Sequence, residues 1–535
     1  MFAENTPRRK FMKLAGTGIA GSAIGASATA TAKTQSAPAI GDQYNVKAFG
    51  ATGDGKTLDT AAINKAIDAA AAAGGGIVLF PAGTYLCYSI HLKSNITLYL
   101  GSGATILAAD SAASGSEGYD PPEPLAWDKY QDYGHSHWHN SLIWGEGIEN
   151  LFITGPGRIW GKGLSRGEGD KPLAPGVGNK SISLKNCHNV TLRDFSMLHG
   201  GHFAILATGV DNLTIDNLII DTNRDGMDID CCRNVRLSNC SVNSPWDDAI
   251  CLKSSYGLGF ARATDHVTIT NCNVTGGYEE GTLLDATFKP ISPDKAPRNG
   301  RITFGTESNG GFRNVTVSNC VIEDCRGIAL ETVDGGLLED VSISNITMRG
   351  ITDVPLFVRL GRRMRGPEGT PIGQLRRVNI SNIISSHGSS RQACLISGIP
   401  GHSIEDLELS NIMILHEGRR YEGRRGYSAT RTGDGLSRPQ PLRLHAGPRL
   451  LHSPRERNQA ARHRSQIRER RPSPRLRPRR CTRRVLPSRE IRASCRCSNL
   501  LPEKRLRLQH LLEPPHSGLT FRKDRTGAAL EDLAV

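Results

Sequence analysis

Polar and apolar residues alternate through short segments that recur from Ile148 to Ile412, most of them closing on Asn or Asp. Asn189-Val190-Thr191-Leu192-Arg193-Asp194, Asn212-Leu213-Thr214-Ile215-Asp216-Asn217 and Asn234-Val235-Arg236-Leu237-Ser238-Asn239 set the pattern. Further copies start at His266, Asn314, Asp340 and Arg377 and end on Asn271, Asn319, Asn345 and Asn382. A two-residue period over five or six residues belongs to a strand with one buried face. Successive starts lie 23, 22, 32, 48, 26 and 37 residues apart, which reads as a base coil of 22 residues or so with insertions in some loops. A unit this short cannot bury its apolar face alone and must stack on copies of itself. The pattern predicts an all-β fold, a right-handed parallel β-helix (β-solenoid), over residues 43–417. Asn at the corners tolerates the left-handed backbone of a sharp bend and can hydrogen-bond to the coils above and below. A β-sandwich would place hairpin turns every ~8–12 residues, a poorer match.

A solenoid needs its first end covered. Ala61-Ala62-Ile63-Asn64-Lys65-Ala66-Ile67-Asp68 reads as an amphipathic N-terminal capping helix, opened by Asp59-Thr60 and closed by Gly74-Gly75-Gly76. Of the 13 cysteines, Cys240, Cys272 and Cys320 each follow an Asn at the same point of the repeat. They are expected to stack as buried core thiols rather than as disulfides. Cys231-Cys232 is left unassigned.

The formal net charge of +14 is unevenly spread. Residues 418–535 contain 28 Arg and 2 Lys against 10 acidic residues, and only four Val or Ile. No parallel sheet can be built from that composition. An out-of-frame reading of a GC-rich gene accounts for such a tail; a genuine disordered tail and a nucleic-acid module are the alternatives. A nucleic-acid partner is not expected, because no aromatic platform accompanies the arginines. Losing the true last coils would leave an unpaired strand edge. At the other end, Arg8-Arg9-Lys10 precedes an apolar run from Leu14 and an Ala30-Thr31-Ala32 cleavage pattern, so residues 1–32 read as a twin-arginine export signal. A periplasmic or extracellular location follows, and no other run is long enough to span a membrane.

Candidate chemistry is concentrated in Asn223-Arg224-Asp225-Gly226-Met227-Asp228 and, 22 residues after Asp225, in Asp247-Asp248. One coil of separation puts three carboxylates on one cleft, where mutual repulsion raises at least one pKa, as an acid catalyst requires. These blocks resemble glycoside hydrolase family 28, the polygalacturonases and their relatives, whose pattern reads Asn-Thr-Asp-Gly followed about one coil later by Asp-Asp. Phe49-Gly50-Ala51-Thr52-Gly53-Asp54-Gly55 and Phe80-Pro81-Ala82-Gly83-Thr84-Tyr85 are similar to the N-terminal signature of the pectin-lyase-like β-helix superfamily. The resemblance implies inverting hydrolysis with Asp247 as general acid and Asp225 and Asp248 activating the water. Asn223 would line the site and Asp228 support it. No cofactor or metal is implied, and a monomer acting on a polysaccharide or oligosaccharide is expected.

The departures from the family also carry information. Its Gly-His-Gly falls on Asn299-Gly300-Arg301, without a histidine, and its Arg-Ile-Lys falls on Ala329-Leu330-Glu331. Glu331 and Glu307 are expected to repel a substrate carboxylate, which favours a neutral sugar at the cleavage point over plain polygalacturonan. Arg359, Arg362, Arg363 and Arg365, within Arg359-Leu360-Gly361-Arg362-Arg363-Met364-Arg365, are candidates for an acid-binding subsite elsewhere, a solvated basic loop being the alternative. Lys253 is taken as the cation closest to the aspartates, and so as the base in a rival lyase reading; a non-catalytic glycan-binding protein is the third reading. Trp127 to Trp144 gathers Tyr130, Tyr133, Trp138 and the alternating His135, His137 and His139 outside the repeat. Trp138 is expected to stack on sugar, the segment to wall the cleft in favour of exo action, and a metal role for the histidines to fail for want of nearby acids.

Resequencing the gene beyond the codon for Glu417 tests the frame directly. A restored frame should continue the Val/Ile-rich alternation, whereas a confirmed Arg-rich reading removes the frameshift hypothesis.

Overall fold

The computed structural model describes residues 43–111, 118–167, 172–291, 298–388 and 394–416, and the backbone of two short strands, Gly518–Thr520 and Asp532–Ala534. The chain winds as a parallel β-helix. Leu151, Val190, Leu213, Val235, Val267, Val315, Val341, Val378 and Leu407 lie in register on successive coils. All are 4% exposed or less. Burying each such side chain stabilises by roughly 1.5–3 kcal/mol relative to leaving it in water, so the recurring alternation selects one register.

Both ends of each six-residue segment bend through left-handed backbone, as at Asn189 (φ 55°) and Asp194 (φ 68°), or Asn234 (φ 55°) and Asn239 (φ 58°). Such a conformation costs a non-glycine residue roughly 1–2 kcal/mol. Side-chain ladders offset that cost. Asn411 donates to Asn382 at 2.7 Å, Asn382 to Asn345 at 3.1 Å and Asn345 to Asn319 at 3.2 Å. A second ladder links Asn234, Asn212, Asn189, Asn150 and Asn95.

Helix α1 (Thr60–Ala72) covers the first coil with Ile63, Ala66, Ile67 and Ala70 buried. Asp59 stands at its N-terminus, but its carboxylate accepts from the backbone of Thr52 and Gly53 instead of capping the helix. Cys240, Cys272 and Cys320 are buried free thiols, as are Cys231 and Cys232. No helix among the described residues is long and apolar enough to cross a membrane.

Seven successive parallel strands of one sheet carry the site: β1 (Lys180–Lys185), β2 (Phe203–Thr208), β3 (Asp225–Asp230), β4 (Ile250–Ser254), β5 (Ile302–Ser308), β6 (Ile328–Thr332) and β7 (Leu356–Leu360). In β1 to β6 every residue is buried, on both faces. Residues 118–142 account for much of the outer cover, with Trp138 packed against Phe203 and Leu206. The 48-residue interval carries a hairpin, Tyr278–Glu280 paired antiparallel with Lys289–Pro290.

The expected export signal, residues 1–32, lies outside the described residues. So does the tail, except for its two strands. These pair antiparallel with Glu408–Ser410 and Leu395–Ser397, so the last coils are partly covered there, where an unpaired edge was expected.

Asn345→Ala should lower stability by about 1–2 kcal/mol, through left-handed strain and two lost amide contacts. Asn345→Gly should cost less, because glycine accepts φ 56° freely. Guanidinium unfolding of the two variants checks the order.

Candidate active site

Asp225 opens β3, and Asp247 and Asp248 lie in the turn one coil further on, leading into β4. The Gly226 amide donates to the Asp248 carbonyl at 2.9 Å, and a Cβ on Gly226 would stand 2.4 Å from the Ala249 carbonyl oxygen. Glycine is therefore what lets the two turns approach. Carboxylate oxygens of Asp225, Asp247 and Asp248 lie within 4.8 Å of one another. The three aspartates singled out in the sequence do converge.

Their environments differ. Asp225 is buried, and burial followed by the charges of Asp247 and Asp228 pushes its carboxyl well above the usual range. Burial also raises Asp248, against the opposing pull of Arg301, whose Nε donates to Asp248 at 2.9 Å. Asp247 is the most exposed of the three and is held at 2.7 Å by Arg224 Nη2. Asn299 Nδ2 adds a contact to Asp247 at 3.3 Å. A proton is thus favoured on Asp225, while the Arg224 guanidinium stands against Asp247. Groups this close titrate as a set.

Beneath the triplet lies a buried ionic network. Asp228 is fully buried and meets His135 Nε2 at 3.1 Å and Lys253 Nζ at 3.7 Å. Lys253 pairs with Glu307 at 2.8 Å. Burial alone would discharge Lys253, but Cys251, Glu307, Asp228 and Asp225 outweigh it and raise its ammonium well above the ordinary value. Glu307 is held well below the carboxylate range, since Lys253 and Arg363 outweigh its burial. Arg363 also pairs with Asp334, and Arg365 with Asp132.

Several expectations change. Glu331 does not replace the cations: it is buried against Arg301 at 3.4 Å. A small recess of about 50 Å³ is lined by Glu331 together with Arg301, Arg326, Asp353, Val354, Phe357 and Arg359. Glu307 is likewise neutralised, so neither acid presents an unbalanced charge to substrate. Arg363 and Arg365 are committed to the network rather than to a separate subsite. The cation nearest the triplet is Arg224, not Lys253. Trp138 cannot stack on sugar, because it is fully buried, donates Nε1 to Thr208 and carries Lys185 Nζ 4.3 Å over its ring. The histidines do have acidic neighbours: His135 meets Asp228, His137 meets Asp128 at 3.3 Å, and His139 meets Glu146 at 2.9 Å. They lie on short helical turns and loop, not on a strand. Glu123, His139 and Glu146 are spaced to hold a cation, and the Lys185 ammonium already stands 2.9 Å from Glu146.

Asn223 lies two residues before Asp225. With its amide oxygen turned inward it accepts from Arg166 Nε at 2.8 Å. Arg166 was not singled out in the sequence, nor was Arg326. Arg301 was read only as a missing histidine, although β5 lying over β4 puts it next to Asp248.

Residues 43–278 match the family model described as rhamnogalacturonase A/epimerase, pectate lyase-like. Over 394 residues the chain is 26% identical to "Probable polygalacturonase" of Vitis vinifera, covering 68% of this chain and 73% of that one. The fold is similar to that of a hyperthermoactive exopolygalacturonase from Thermotoga maritima, at TM-score 0.54 and 19% identity over 71% of this chain and 93% of the other. The family 28 exopolygalacturonase of Yersinia enterocolitica gives TM-score 0.51 and 19% identity, over 69% and 71%. This chain is a family-28-like protein of the pectin-lyase fold. The carboxylate triplet keeps the one-coil spacing on which the sequence resemblance rested.

Asp225→Asn should raise the thermal midpoint at pH 7, because it removes a buried charge that the fold disfavours. A carboxyl whose folded pKa lies above its unfolded value, ~3.9, stabilises the fold below that value and ceases to as pH rises through the folded one. The gap between variant and parent should therefore open from near zero at pH 4 and widen upward. Melting curves from pH 4 to 8 check this; no gain at pH 8 would contradict the buried-charge account.

Proposed function

We propose that this family-28-like protein is an exported glycoside hydrolase that cleaves a pectin-related glycan by acid/base catalysis with inversion. The observation that carries the reading is the convergence of Asp225, Asp247 and Asp248 on adjacent coils, with a proton favoured on one and guanidinium partners on the other two. Asp247 is the acid in this reading, and Asp225 and Asp248 together hold the attacking water. In this reading the sugar displaces Arg224 from Asp247, and Asp247 passes a proton to the leaving group. Most inverting enzymes separate two carboxyl groups by ~6.5–9.5 Å to admit water between them. This triplet is tighter, so the water is assigned to the Asp225–Asp248 side of the sugar.

Arg301, Arg326 and Arg359 outnumber Glu331 and Asp353 around the recess, and this excess of positive charge favours a carboxylate-bearing sugar next to Asp248. That revises the neutral-sugar expectation, whose premise was an unpaired Glu331. Residues 118–142 cover the outer face of the strands beside Asp228, which supports action from a chain end. The lyase reading loses its base, because Lys253 is buried, doubly paired and held protonated. A non-catalytic binding role is distinguished by Asp247→Asn, which should abolish turnover and spare binding.

The direct test is product analysis on polygalacturonate, methyl-esterified pectin and a neutral-branched glycan. Hydrolysis yields reducing ends without ultraviolet-absorbing unsaturated products, and proton NMR of the first product should show the anomer opposite to the linkage cleaved. Retention would overturn the assignment of roles. Arg326→Ala should lower kcat/KM on polygalacturonate by roughly 10–100-fold, the worth of a charge-assisted contact, with a smaller loss on the esterified polymer. Unsaturated products would favour the lyase.

A further inference from the structure

Trp246 immediately precedes the two aspartates and is absorbed neither by the core nor by the ionic network. It is half-buried, while Pro245 before it and Asp248 after it are buried. We propose that Trp246 is a sugar-binding residue of this site, its indole face held for a pyranose ring beside Asp247 by the Tyr278–Pro290 hairpin through Glu279. The proposal rests on the glycan-hydrolase reading above.

Three observations support it. The indole Nε1 donates to Glu279 Oε1 at 2.9 Å, so the polar edge of the ring is satisfied within the protein and its orientation is set. The hairpin that brings Glu279 is itself anchored one and two coils back. Asn243 Nδ2 donates to the Tyr278 carbonyl at 2.8 Å, and the Leu283 amide donates to Asp221 Oδ2 at 2.8 Å. Asn243 and Asp221 are buried and joined to each other at 2.8 Å. At the far end of the same excursion, the Asn299 amide donates to the Pro245 carbonyl and the Gly300 amide to the Asp247 carbonyl, both at 2.8 Å. One insertion therefore grips the Pro245–Asp247 turn from both sides of the tryptophan.

An aromatic ring left partly in water loses the benefit of burial, which a ligand with an apolar face restores. Sugar rings present such a face through their C–H groups. Because the ring is oriented before the ligand arrives, little side-chain freedom is lost on binding. Glu279 is a positioning residue in this account, acting on the sugar only through Trp246. The carboxylate-reading arginines lie beside Asp248 and β7, so the two features would address different parts of the glycan.

The test compares Trp246→Ala, Trp246→Phe and Glu279→Gln by steady-state kinetics on polygalacturonate, with thermal midpoints measured alongside. Trp246→Ala should raise KM about tenfold with kcat much less affected. Trp246→Phe, which keeps an aromatic face but loses the Nε1 contact, should recover part of that loss, and Glu279→Gln, whose amide oxygen still accepts from Nε1, should stay nearer the parent than Trp246→Phe does. Trigalacturonate should change tryptophan fluorescence in Asp225→Asn, and the change should vanish when Trp246→Phe is added. An unaltered KM in Trp246→Ala, or equal damage from Ala and Phe with lowered midpoints, overturns the proposal. Should Trp246→Ala fail to fold, the fluorescence pair decides alone: a signal that survives Trp246→Phe overturns it. A parent protein that neither cleaves nor binds any of the three glycans overturns the hydrolase reading instead.

Discussion

Register between successive coils is the constraint on which the rest of this protein depends. Each coil is hydrogen-bonded to the next in parallel, and a slip of one residue would turn every buried Val, Leu and Ile outward. The apolar rows therefore lock the winding, and the winding brings residues 22 or 23 apart in the chain side by side. Asp225 meets Asp248 for the same reason that Val190 meets Leu213. Catalytic geometry here follows from core packing, with Gly226 providing the close approach that a side chain would block.

The same stacking creates an electrostatic problem along the outer face of the sheet. Carboxylates brought together by register would repel, and burial would add to the penalty. The chain answers with cations at neighbouring register positions. Glu146, Lys185, Thr208, Asp230 and Lys253 succeed one another on five coils, and Glu331 lies beside Arg359 further along. Glu307 and Glu331 are thereby paired with cations, while the charge of Asp225 stays strongly disfavoured. That residual imbalance is what makes the triplet chemically useful.

Two segments outside the repeat complete the site. Residues 118–142 lie over strands that would otherwise present a polar outer face to water, and they add His135 to the buried network and Asp132 to Arg365. The hairpin at Tyr278–Pro290 folds back over Asp221 and Asn243. Both departures appear in the sequence as breaks in spacing or composition, because an insertion that does not stack cannot follow the two-residue period. What they touch is not readable there.

The sequence by itself determined the solenoid, the capping helix, the stacked thiols and the aspartate triplet, because each is a matter of period or of spacing by one coil. Local alternation and loop length suffice for such inferences. Tertiary structure alone decided the sign of the charge around the triplet. Glu331 and Glu307 read as repulsive when counted against a family pattern, and become neutral once Arg301, Lys253 and Arg363 are found beside them. Trp138 read as a sugar platform and is core, because the loop that carries it folds inward. Long charged side chains reach across coils and from distant loops, so their partners depend on three-dimensional proximity that no spacing rule encodes.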